Sequence, residues 1–423
     1  MSGMSYPSAM QPLCFAVLRG LTPPEVEVDL IDEFIEAVPE HIETDIAAIT
    51  VQTFTAARAY TIADRLRKRG ITVVMGGYHP TFLPREALQH ADSVVVGEAE
   101  GVWKGVVEDF TRGRLSALYT GSAPQQRENT VYDRSLFAGK KYAPVTPVEF
   151  SRGCGMSCEF CSVSSFHNGR HTYRTVRDVI EEIERIETKI IFVIDDNILG
   201  NIRQAQRFVR DLIPLKKKWW CQIGIGVARD DGLLDLLAES GCIAVMIGFE
   251  SLDPDNLRQM NKTANISLGD YASAVRKIKE RGIMIYGSFV FGYDHETAAT
   301  IKGSLQFASE NKFFLNNFNT LNPLPGTRLY ERLKRENRLL HDAWWLDERF
   351  KYGEIMFRPA MMGAPELKQA CIEARLAFNS LGGILKRSFD RKANMRSITN
   401  LGMFVAANLV ARREILIKMK QIQ

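Results

Sequence analysis

The stretch SRGCGMSCEFCSVSSF, Ser151–Phe166, holds three of the chain's seven cysteines within eight residues. Cys154, Cys158 and Cys161 have the spacing Cys-x3-Cys-x2-Cys. A structural zinc site wants four ligands and a disulfide wants two. Three thiols on one loop are one short of the first and one too many for the second. Thiolates bind soft iron clusters well. A 4Fe–4S cube has four irons, so three cysteines leave one iron open, and an open position marks a catalytic rather than a structural metal. On residues alone two other readings stand beside this one. A remote His167 or His171 could complete a zinc site, or the thiols could form an inert buried group.

Around this loop the chain alternates strand and helix. PVEFSR leads into it, and KIIFVIDD, CQIGIGV, IAVMIGFE, IMIYGSFVFG and FNTLNPLP follow, separated by helical patterns such as TVRDVIEEIERIE. Six such units over residues 147–330 predict a partial parallel (β/α)6 barrel, short of the eight of a closed barrel. The cysteine loop sits after the first barrel strand, at the carboxyl end where such barrels carry their chemistry. Upstream, DIAAITVQT, ITVVMGG and SVVVGEAEG are apolar runs separated by helices. They predict an α/β fold of Rossmann type over residues 1–121, a parallel sheet covered on both faces. Ligands in such sheets lie beyond the carboxyl ends of the strands. Gly76, Gly77, His79, Gly97 and Glu98 stand at that edge. The glycines do not fit a phosphate loop but permit close approach of a flat ligand. Residues 122–146 are polar and irregular, a linker. Residues 331–423 are helical, and Ile384–Gln423 carries nine Lys/Arg against two acids.

Composition excludes some functions. With 423 residues, 45% hydrophobic and 25% charged, the chain is of ordinary globular type with two or three domains. A net charge of +4 does not argue for nucleic acid. The start, MSGMSYPSAMQPLCF, lacks a secretory pattern, and no apolar run is long enough to span a membrane. The expected compartment is the reducing cytoplasm, where clustered cysteines read as metal-binding or catalytic. Cys14, Cys221, Cys242 and Cys371 read as core thiols. KKKWW (Lys216–Trp220) reads as a solvated helix end followed by core aromatics. The apolar, basic C-terminal segment is expected either to pack on the barrel or to touch an anionic membrane surface.

The cysteine loop, with Phe160 just before its last cysteine, resembles the signature of radical S-adenosylmethionine (SAM) enzymes. GGYHPTFLPREAL and VVVGEAEGVW resemble the cobalamin-binding domain of one subgroup of that family. FVIDDNILGN, IGFESLDPDNL, GSFVFGYDHET and NPLPGTRLYERL resemble its barrel. That subgroup includes lipid-scaffold methylases and oxidative cyclases of pigment synthesis. The resemblance implies a 4Fe–4S cluster on the three cysteines, with SAM on the open iron and cleaved to a 5′-deoxyadenosyl radical. It implies cobalamin between the domains, C-methylation of a small, hydrophobic substrate, and an electron donor such as flavodoxin or ferredoxin. By position it places Asp195, Asp196 and Asn197 near the SAM amino group, and Glu250 and Ser288 near its ribose or methionine. Arg229 would pair with the SAM carboxylate or with Glu250, and Phe160 would offer backbone contacts to adenine. His79 would shape the loop beside cobalamin rather than ligate cobalt, since no Asp-x-His-x-x-Gly segment is present. Few residues precede the helix at PLCFAVLRGLTP, so the sheet is expected to lack its first strand. The alternatives are radical oxidation, cyclisation or rearrangement without cobalamin; a non-enzymatic iron–sulfur or zinc protein; and an RNA-modifying enzyme. The last is disfavoured because no basic β-barrel module follows.

Overall fold

A computed structural model describes residues 9–128, 130–351 and 353–422. Its largest sheet has six parallel strands: Thr146–Val148, Ile190–Val193, Lys218–Gln222, Cys242–Glu250, Met284–Phe291 and Leu315–Thr320. They lie side by side in chain order. A helix follows each of the first five strands and returns the chain, as parallel pairing requires. This is the expected open barrel.

Alternation along each strand divides the side chains between two faces. Val148, Ile191, Trp219, Cys221, Val245, Ile247, Phe249, Phe289 and Phe318 point outward into the main core against the helices. Phe192, Trp220 and Tyr286 therefore face the barrel interior. Phe192 and Trp220 stack at 3.7 Å and 7°, and Tyr286 follows at 6.4 Å from Trp220. KKKWW thus runs, as expected, from a helix end, with Lys216 capping the turn Ile213–Leu215, into core aromatics; both tryptophans belong to the third strand and face opposite ways.

The N-terminal sheet has four parallel strands, Ile46–Thr50, Thr72–Gly76, Ser93–Gly97 and Leu118–Gly121, in that order. Among the described residues, the part before Ile46 supplies a helix, Leu13–Leu21, and no strand. Ile46–Thr50 is consequently the sheet's edge. The fourth strand went unread because LYTG has no apolar run.

Residues 122–146 do more than link. Gln126–Arg127 pairs with Thr172–Arg174, which pairs with Ser151–Arg152 at the root of the cysteine loop. Arg127 is 3% exposed and carries an ion pair to Glu149 at 2.7 Å.

A buried arginine helps to fix the C-terminal helices to the barrel, beside Asn394, Asn400 and Asn408. Arg387 is 1% exposed and donates to the carbonyls of Phe313, Phe314 and Phe378 and to Asn408 Oδ1. Its guanidinium lies 3.6 Å from the Phe378 ring centroid. Burial pushes its pKa down to about 9. Arg387→Met orphans these acceptors, at a cost of about 3 kcal/mol. We expect faster hydrogen exchange across residues 381–418, with the N-terminal sheet unchanged.

Candidate active site

The cysteine loop is held from three sides. From below, consecutive residues of the second barrel strand's end each take one part of it. Asp195 accepts from Phe150 N, Ser151 N and Ser151 Oγ at 2.8, 2.8 and 2.5 Å. Asp196 accepts from Gly153 N at 2.8 Å. Asn197 directs Nδ2 at Cys154 Sγ, 3.9 Å away, and caps Leu199 N. From the side, Asn261 donates to Ser157 O and Oγ, and Glu159 N donates to Met260 O. From above, Arg332 grips both oxygens of Glu159, and Arg328 donates to Ser157 O.

This arrangement changes three expectations. Asp195 is 1% exposed and spends both oxygens on the loop backbone and Ser151, so it braces the loop instead of meeting a ligand. Burial, partly opposed by these hydrogen bonds, raises its pKa to about 7. Asp196 likewise takes Gly153 N. Arg229 does not end a strand. The third strand stops at Gln222, and Ile225–Arg229 is a 3-10 turn. There Arg229 is exposed and donates to Ser267 Oγ, away from Glu250.

Glu250 instead pairs with Lys262, Nζ to Oε1 at 2.5 Å, both nearly buried. The chain bends to make this pair. Glu250 ends the fourth strand with φ +64°, a left-handed conformation that costs a non-glycine residue about 1 kcal/mol or more. A Cβ on Gly248 would collide with Glu250 Oε1 and stand 2.7 Å from Lys262 Nζ. Lys262 is held charged against burial by Glu250 and by its nearness to Cys158 and Cys161. Ser288, on the neighbouring strand, lies in register with Gly248. Phe160 packs on the core with its ring 6.4 Å from Tyr293.

The N-terminal sheet meets the loop through the segments after its second and third strands. Tyr78 lies on Phe166, ring centroids 4.5 Å apart, and Phe82 meets Phe166 edge-on at 6.4 Å. Gly326 of the PLPG turn gives Phe82 room, since a Cβ there would collide with the ring. Glu98 accepts from Ala123 N and pairs with Arg152, two residues before Cys154, at 3.2 Å. Arg152 also binds Glu100 and Glu149, at 2.5 and 2.7 Å. Glu98 is therefore a domain anchor rather than a cofactor contact. Gly77 and Gly97, with φ +106° and +79°, are required by the fold itself. A Cβ would stand 2.9 Å from Val51 O at the first and collide with Gly121 O at the second. Gly76 has only ordinary contacts. His79 is fully buried among Thr53, Tyr60 and Glu86, at 3.3, 3.1 and 2.9 Å. It shapes the loop from behind. Tyr78, its neighbour, carries the contact that the sequence reading missed, as do Lys262 and Arg152.

The residues fit an iron–sulfur cluster. Cys154 and Cys158 are buried, and Cys161 half-buried. Burial drives the Cys158 thiol up to about 11, eased by Lys262. Assembly must therefore release protons. Among the described residues, no three His, Cys, Asp or Glu side chains converge on a single-ion site. A lone zinc needs such convergence, whereas a cube takes each thiolate on a different iron. Cys221, Cys242 and Cys371 are buried in the outward core, while Cys14 is exposed, contrary to expectation. Lys262 and Glu250 would offer SAM's amino-acid group a paired ammonium and carboxylate. A corrin ring would find room at the carboxyl edge of a sheet whose loops touch the cluster loop.

Lys262 should tune a cluster on this loop. In reconstituted protein, Lys262→Met is expected to lower the cluster's midpoint potential by removing a cation near two of its ligands. Glu250→Gln, which leaves that cation unneutralised, is expected to raise it. EPR-monitored redox titration separates these opposite shifts.

An open six-strand barrel with a three-cysteine loop at its carboxyl mouth defines a radical SAM enzyme. Residues 148–308 match the Radical SAM superfamily, and residues 16–107 match the B12 binding domain. The chain is 30% identical over 396 residues to bacteriochlorophyllide d C-12(1)-methyltransferase of Chlorobaculum tepidum, covering 90% of this chain and 86% of that one. It is 29% identical to the C-8(2)-methyltransferase of the same organism, over 78% of each chain. To hopanoid C-2 methylase of Rhodopseudomonas palustris it is 26% identical, over 79% of this chain and 66% of that one. Its fold matches that of TsrM, a radical SAM methyltransferase from Kitasatospora setae, with TM-score 0.57 at 16% identity, over 70% of this chain and 66% of that one. The chain belongs to the cobalamin-dependent radical SAM methyltransferases, whose cofactors are a 4Fe–4S cluster, SAM and cobalamin.

Proposed function

We propose that this protein methylates an unactivated carbon on a planar, apolar ring system of chlorin type, bound inside the barrel. The observation that carries the reading is the pair of flat faces turned into the barrel, Trp220 stacked on Phe192 with Tyr286 beyond. The relatives support it, since the two bacteriochlorophyllide methyltransferases share 30% and 29% identity with this chain. When bound, the cluster and SAM supply the radical that removes hydrogen, and cobalamin carries the methyl group.

The chain's own residues do the positioning. Cys154, Cys158 and Cys161 hold the cluster, and Asp195, Asp196 and Asn197 fix their loop. Glu250 with Lys262 orients SAM's methionine end, Ser288 lies beside them, and the Phe160 backbone meets adenine. Tyr78 and Phe166 close the gap between the sheet edge and the barrel mouth, keeping water out. A flavodoxin- or ferredoxin-like carrier supplies electrons, and the cytoplasm, where thiols stay reduced, is the working compartment. No helix among the described residues is long and apolar enough to cross a membrane.

The test uses reconstituted protein, SAM with a deuterated methyl group, and bacteriochlorophyllide or a hopanoid as acceptor. Label on a chlorin carbon supports the reading. Label on the hopanoid alone overturns the substrate class.

A further inference from the structure

The last two helices present an apolar surface that nothing among the described residues covers. In helix Ile398–Ile422, the residues Ile398, Val405, Leu409 and Leu416 are 93%, 43%, 51% and 42% exposed. At about 100° of turn per residue they fall on one narrow stripe. The barrel lies against the other side. Phe404 is fully buried 6.1 Å from the Phe314 ring, and Asn408 donates to Phe314 O. A helix that is apolar on both faces is one that is covered on both faces. The preceding helix, Leu381–Ser388, extends the patch. Leu381 and Leu385, four residues apart, are 62% and 61% exposed, and Phe389 beyond its end is 59% exposed.

The charge around this patch has one sign. Lys386, Arg391, Arg396 and Arg413 are exposed, whereas the two acids of Ile384–Gln423 are not: Asp390 is buried on Lys279, and Glu414 is half-buried on the cavity side. A second copy of the same face would set like charges against each other. An anionic bilayer complements both features: its acyl boundary takes the leucines and its headgroups take the arginines and lysines.

We propose that helices Leu381–Ser388 and Ile398–Ile422 dock this enzyme, in the plane of the interface, on an anionic lipid bilayer. The opposite face of the longer helix has a job of its own. Ala411, Glu414 and Ile415 line a cavity of about 140 Å³ with the inward residues Tyr286, Leu315, Asn317 and Asn319. One helix thus separates the lipid surface from the barrel. An apolar substrate would then have a short route from the bilayer to the barrel, a consequence that rests on the proposed function, as the docking itself does not.

Flotation of the full-length protein tests the proposal, using phosphatidylcholine vesicles with and without phosphatidylglycerol. Binding to the anionic vesicles at low salt is expected, falling roughly tenfold with phosphatidylcholine alone or at high salt. Ile398→Asp with Leu409→Asp should abolish flotation while circular dichroism stays unchanged, because both side chains point away from the core. Lys386→Glu with Arg413→Glu, which leaves the apolar stripe intact, should weaken it to the level seen without anionic lipid. Absence of flotation with anionic vesicles, or flotation indifferent to the aspartates, overturns the proposal. So does a stable dimer that the aspartates dissociate.

Discussion

Cys158→Ala, purified and reconstituted anaerobically with iron and sulfide, is expected to show no iron–sulfur absorption and to cleave SAM no faster than a protein-free control. In the proposed reading the thiol's role is to hold iron. The loop around it is held by Asp195, Asp196, Asn261, Arg328 and Arg332, none of which touches the Cys158 sulfur. Losing that thiol leaves the loop in place and removes one of three iron anchors. Alanine is also smaller, and at a site only 9% exposed the removed sulfur costs about 1 kcal/mol of stability, well short of unfolding. A normal circular dichroism spectrum beside a colourless protein would confirm both halves. Cleavage surviving the substitution would show that the cluster sits elsewhere.

Arg152→Ala should have the largest effect on stability, about 3–5 kcal/mol, because it strands buried carboxylates. Arg152 joins Glu98 and Glu100 of the N-terminal domain to Glu149 of the barrel, and its side chain is 18% exposed. Glu149 also carries Arg127 and accepts from Tyr132 Oη. Burial alone would raise the Glu149 pKa, yet Arg152 and Arg127 hold it down to about 2, against 4.5 in the open chain. A carboxylate depressed in the folded state stabilises it above the unfolded pKa and stops doing so as pH falls through the folded value. That contribution, about 3 kcal/mol, is present above pH ~4.5 and lost toward pH ~2. Removing Arg152 should move the acid unfolding midpoint upward. It should also loosen the contact between the sheet and the cluster loop, visible as faster hydrogen exchange at residues 97–101 and 149–153. An unchanged acid midpoint would mean that Arg127 alone carries Glu149.

What the sequence disclosed follows from how local each signal is. The cysteine spacing is local, so the loop, its three ligands and its place after the first barrel strand were legible. So were the strands built from apolar runs. Partners distant in sequence were not. That Asp195 serves Ser151 rather than a ligand depends on the second strand pairing with the first, 44 residues back in the chain. Arg229 is the partner for Glu250 that the sequence suggests, because CQIGIGV alternates like a strand. The chain coils instead into a 3-10 turn at Ile225–Arg229, which carries Arg229 off. Lys262 lay just past the quoted motif, with no pattern of its own to mark it. Within GGYHP the histidine drew attention, while the residue that meets the cluster loop is Tyr78, an aromatic indistinguishable from core until its neighbour Phe166 is seen.

The direct test of the central claim is the pair of products made from SAM in a single incubation of cluster- and cobalamin-loaded protein with its acceptor. Cobalamin-dependent methylation with radical hydrogen removal yields S-adenosylhomocysteine and 5′-deoxyadenosine together, rising in step with methylated product. Formation of 5′-deoxyadenosine without S-adenosylhomocysteine, with the acceptor consumed but not methylated, would contradict it.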